Sequence, residues 1–91
     1  MISGQALLVY KQKTLLILDD YKGSEAGEQQ VIQDFQIRES FSARPDDVRQ
    51  ALEKLKDDGL AEKRRDTMRG WVWKITADGR NAARDLEYER L

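Results

Sequence analysis

The chain has 91 residues and a formal net charge of −1, which is enough for one small domain over residues 1–91 with one modest core. It contains neither cysteine nor histidine, so disulfides, thiolate metal sites, the commonest metal ligand and the commonest general base are all missing. This composition argues against an enzyme and against a metal centre, and no catalytic residue, metal site or cofactor is expected.

The spacing of Leu7, Tyr10, Thr14, Ile17, Leu18 and Tyr21 predicts a first helix over Gln5–Tyr21. Leu8 and Leu15 widen its apolar stripe, and Val9 and Leu16 lie on the opposite side. A helix apolar nearly all round is buried on every side or shared with a partner. Two readings follow: Val9 and Leu16, with Leu86, meet a second copy in a homodimer, or they pack under the C-terminal helix of the same chain. The runs Ala6–Tyr10 and Leu15–Leu18 are too short to span a bilayer. No positive segment precedes an apolar run, so no signal peptide is expected and the expected location is the cytoplasm.

The glycines and serine of Lys22–Glu28 predict a loop. Gln29–Phe41 is helical in composition, but Val31, Ile32 and Phe35 point away from Ile37 and Phe41 at 100° per residue. A helix buried between two layers would explain this; a break or bend near Asp34 is the preferred expectation. Arg44-Pro45 restarts the chain as a helix, because proline fits the first turn. Asp46 and Asp47 suit the positive end of its dipole. Val48, Ala51, Leu52 and Leu55 give it one buried face, and Gly59 with Leu60 supplies a left-handed stop.

Leu60–Arg65 and Trp71–Thr76 predict two strands joined by a turn, with Trp71, Trp73 and Ile75 on one face as core. Thr76 is placed to cap a last helix, to about Tyr88, whose inner face is Ala82, Ala83 and Leu86. Charge is uneven along these elements. Residues 62–80 carry six basic and three acidic side chains, an excess of +3, whereas the rest of the chain is negative.

The run VRQALEKLKDDGLAEKR followed by WVWKITADGRNAA resembles the winged helix of MarR- and PadR-type transcription regulators. The matching elements are the amphipathic helix to Leu55, the Asp58-Gly59-Leu60 turn, and Ile75-Thr76-Ala77-Asp78-Gly79-Arg80, which corresponds to the family's leucine-threonine-x-x-glycine pattern. The resemblance covers about half the chain, and more loosely Ile37–Phe41. It implies an α+β winged helix-turn-helix of three to four helices with a two-stranded antiparallel wing.

It also implies a DNA-binding transcription regulator whose recognition helix, about 44–58, enters the major groove while the wing, about 60–76, reaches the backbone. The positions that correspond are Arg44, Asp46, Asp47, Arg49 and Gln50 on the helix, and Lys63, Arg64, Arg65 and Arg69 on the wing. Asp46 and Asp47 depart from the serine or threonine usual there and would repel phosphates. Arg49 and Gln50, opposite Val48 and Leu52, are expected to reach outward. The sequence pI of about 5.5 and the two aspartates leave an alternative open, a winged helix that docks on another protein and not on DNA.

Overall fold

The computed structural model describes residues 3–89. Helix α1 (Gly4–Asp19) starts at Ser3, whose hydroxyl accepts the Ala6 N–H and so satisfies one of the free donors of the first turn. A two-residue strand β1 (Ala26–Gly27) leads into α2 (Glu28–Arg38), and α3 (Pro45–Asp57) follows a short turn. Strands β2 (Ala61–Asp66) and β3 (Gly70–Ile75) form the hairpin, and α4 (Ala77–Glu89) closes the chain. All strands are antiparallel in the order β1-β3-β2. The fold is an α+β winged helix.

α1 packs against α2, α3, α4 and β3, which covers most of its apolar surface. Leu15, Ile17 and Leu18 enter the core with Val31, Ile32, Phe35, Val48, Leu52, Leu55, Trp73 and Ile75. Leu16 and Leu86 pack partly against that same core, whereas Leu8 and Val9 remain half exposed. No described helix is long and apolar enough to cross a membrane.

Two expectations are corrected in this frame. α2 runs without a break through Asp34 to Arg38. Its second apolar direction has no layer behind it, since Ile37 and Phe41 are 68% and 84% exposed. The sheet has three strands and not two, because Ala26 and Gly27 pair with Trp73 and Val72. Two residues are too few to show strand periodicity in a sequence.

The junction between α3, the hairpin and α4 explains the motifs that carried the resemblance. The Leu60 N–H bonds to the Leu55 carbonyl and the Gly59 N–H to that of Lys56, with Gly59 at φ +78°, which is a Schellman stop. The Thr76 hydroxyl donates to the Gly59 carbonyl at 2.8 Å and accepts the Gly79 N–H at 3.0 Å. A Cβ on Gly79 would lie 2.0 Å from the Leu60 carbonyl oxygen. Threonine and glycine are therefore required by chain packing. The pattern marks the fold and does not by itself mark a ligand.

Candidate nucleic-acid interface

The first turn of α3 presents Arg44, at the N-cap in an extended conformation, and Asp46 to solvent. Asp47 is buried at the same helix start. The Arg49 side chain is 38% exposed but already engaged in two ion pairs. Its guanidinium donates to Glu28 at the start of α2 at 3.2 Å and to Asp46 at 2.8 Å. The other Glu28 oxygen accepts the indole N–H of buried Trp73 at 3.1 Å. A single carboxylate thus connects β3 to α3. Gln50 is half-buried.

On the hairpin, Lys63 lies opposite Trp73 and Arg65 opposite Trp71, so these four side chains share one face of the sheet. Trp73 is fully buried. Trp71 is not core: it is 39% exposed and lies between cations, with Lys63 Nζ 4.5 Å and Arg65 Cζ 5.7 Å from its ring centre. Such contacts hold a cation over an aromatic face. Lys63 also pairs with Glu53 on α3, and its hydrogen bond holds the Glu53 carboxyl below the usual carboxylate range. Lys63 thereby ties the hairpin to α3 and is not free at the surface.

Arg64 points from the opposite face and meets Glu25, just before β1, through two hydrogen bonds of 2.6 and 2.8 Å. This contact keeps the Glu25 carboxyl below its ordinary range. At the tip, the Asp66 carboxylate accepts the N–H groups of Met68 and Arg69 and so closes the turn. Arg64 and Arg69 approach Asp66 at 3.5 and 3.8 Å. Of the seven candidate contact residues, Arg44 and Arg65 are the cations without a carboxylate partner among the described residues.

The positive excess of residues 62–80 is therefore largely offset in space by Glu25 and Glu53. Sequence reasoning missed Glu25, Glu28 and Glu53 as members of this surface. Glu25 and Arg64 are 39 positions apart, and no periodicity or local charge count joins residues at that distance.

A second surface feature is an open apolar groove of about 260 Å³ between α1 and α4, lined by Leu8, Leu15, Leu55, Leu60, Ala82 and Leu86 with Lys11 and Asp85 at its polar side. No described cluster of acidic side chains is arranged to hold a metal ion.

The fold is shared with solved structures at low identity. A double mutant of ZitR from Lactococcus lactis in its apo form is 18% identical with a TM-score of 0.70, and the match covers 94% of this chain and 60% of that one. A second structure of that mutant gives 0.67 at 18% identity, covering 88% and 50%. A transcriptional regulator from Clostridium thermocellum gives 0.70 at 15% identity, covering 98% and 87%. The chain thus spans only 50–60% of the ZitR chains it resembles. No family model matches the sequence, and neither does any curated protein.

Proposed function

We propose that the protein is a non-enzymatic DNA-binding transcription regulator. α3 faces the major groove with Arg44 and Gln50 foremost, and the hairpin wing approaches the phosphate backbone with Arg65 and Arg69. Arg49 and Lys63, and Arg64 on the other face of the hairpin, begin in internal ion pairs, so each must exchange a carboxylate for a phosphate to take part. The observation that carries this reading is a winged helix similar over 94–98% of the chain to structures that include a transcriptional regulator. In such domains the helix after the turn and the wing are the elements that meet DNA. A homodimer belongs to this reading and is supported by the half-exposed Leu8 and Val9 on α1. Two copies joined through Val9, Leu16 and Leu86 would set half-sites about one helical turn apart. Sedimentation of wild type and Val9→Glu tests this: a dimer in both, or a monomer in both, removes that interface.

A second reading is favoured by the neutralised cations and by the exposed Ile37, Phe41 and Met68: a winged helix that docks on another protein. Retardation of random duplex at low salt separates the two. A DNA binder reaches roughly 10⁻⁴–10⁻⁶ M even without its specific site, with affinity that falls as salt rises. Absence of retardation at about 100 μM protein, within that range, favours the protein partner and removes the DNA reading.

A further inference from the structure

Glu25 occupies Arg64 in the manner of a ligand. Two carboxylate oxygens meet Nε and a terminal nitrogen at 2.6 and 2.8 Å, the paired geometry with which arginine also takes a phosphate. Arg69 stands 3.9 Å from the same carboxylate. Of the other acidic groups near the wing, Glu62 lies exposed on β2 two residues from Arg64 and pairs with no cation among the described residues, whereas Asp66 and Glu53 have structural duties. Asp66 holds the hairpin turn through two backbone N–H groups, and Glu53 holds Lys63 against α3. Among the described residues the Glu25 carboxylate contacts only Arg64 and Arg69. The pair is open to water, with the Arg64 side chain 54% and that of Glu25 31% exposed, so it contributes little to folding and exchanges readily.

We propose that Arg64 and Arg69 form a phosphate-binding site on the wing, and that Glu25 fills this site in the free protein as an internal surrogate for the anion. The natural occupant, a phosphodiester of duplex DNA, rests on the functional reading above; the masking of the site by Glu25 does not. Bound DNA must displace Glu25 while its charge remains close by. The chain therefore holds its own affinity for polyanions below what its wing could deliver.

The test compares wild type, Glu25→Gln and Glu25→Gln/Arg64→Gln, with Glu39→Gln as a control of equal charge change at a pair with Lys13. Elution from immobilised heparin reports the anion site, and anisotropy of a labelled random duplex reports DNA. The expected result for Glu25→Gln is later elution and duplex binding about tenfold tighter at about 50 mM salt, with a salt slope steeper by about 0.9, one more phosphate contact. The control shifts less, and the double substitution cancels the gain. Later elution without duplex binding in any variant keeps the masked anion site and removes the DNA reading. Duplex binding equal in wild type and Glu25→Gln, with unchanged elution, removes the masking and keeps the DNA reading. Unchanged elution with no duplex binding removes both.

Discussion

The Glu28 carboxylate, at the start of α2, accepts the indole N–H of Trp73, a fully buried ring. Its second oxygen holds Arg49 of α3. Removing the side chain leaves a buried donor unpaired and frees α3 from β3. Glu28→Ala is expected to cost about 1–3 kcal/mol. Glu28→Gln, which keeps an acceptor for the indole, should cost less. Urea denaturation measures both; equal losses would place the effect in the Arg49 ion pair and not in the indole bond. In a Trp73→Phe background the cost of Glu28→Ala should shrink, because contacting groups are not additive.

Gly79 provides a second, sharper test. A methyl group there would sit 2.0 Å from the Leu60 carbonyl oxygen and 2.6 Å from Ile75 Cγ1. The nearer neighbour is backbone, so relief requires α4 to move away from the link between α3 and the hairpin. Overpacking of this kind costs about 1–3 kcal/mol, occasionally more. Gly59→Ala meets no atom within 4 Å and suffers only from its φ of +78°. Thermal melts should therefore rank Gly79→Ala as the more damaging change. The reverse order would mean that the junction yields easily and that the glycine is kept for another reason.

These two residues also show what a sequence discloses and what it conceals. Thr76 and Gly59 were legible because caps and stops are local and restrict residue type within a few positions, whereas the close approach at Gly79 appears only in the packed junction. α3 was legible because Val48, Ala51, Leu52 and Leu55 fix one face. The short β1 was not, since a two-residue strand exists only through its pairing with β3. The charge pattern misled more seriously. Arg64 and Lys63 look like a free basic cluster along the chain, yet Glu25 and Glu53 reach them from distant positions. Ile37 and Phe41 misled in another way: their departure from the Val31–Phe35 face suggested a break near Asp34, yet α2 is continuous and both are exposed.

Thr14 lies in the core with 0% exposure, and its hydroxyl has no hydrogen-bond partner among the described residues. A buried hydroxyl without a partner carries a desolvation penalty of about 1–3 kcal/mol. Thr14→Val replaces it with a methyl of similar shape and should raise stability by about 1–2 kcal/mol. For a domain of this size each kcal/mol raises Tm by about 4–8 °C. A lower Tm in Thr14→Val would show that the hydroxyl finds an acceptor in solution.

The chain has no histidine to titrate near neutrality, so the pH dependence of stability lies at the acid and alkaline ends, where paired carboxylates and the Tyr21 phenol contribute. Lys63 and Lys11 hydrogen bonds hold Glu53 and Asp58 below their ordinary values. Their contribution is therefore present above the ordinary carboxylate range and is lost as pH falls through the depressed values. At the alkaline end, burial and a 2.7 Å hydrogen bond to Asp34 raise Tyr21 from 10.0 to about 12. Below pH 10 the phenol is protonated in both states. Between about 10 and 12 the unfolded chain ionises while the folded one keeps its proton. The unfolded state then binds fewer protons, so stability falls as pH rises. Tm against pH should show a plateau through neutrality with a descent above 10, and Tyr21→Phe should make that descent shallower. An alkaline limb of the same steepness in Tyr21→Phe would mean that the Tyr21–Asp34 bond does not shape it.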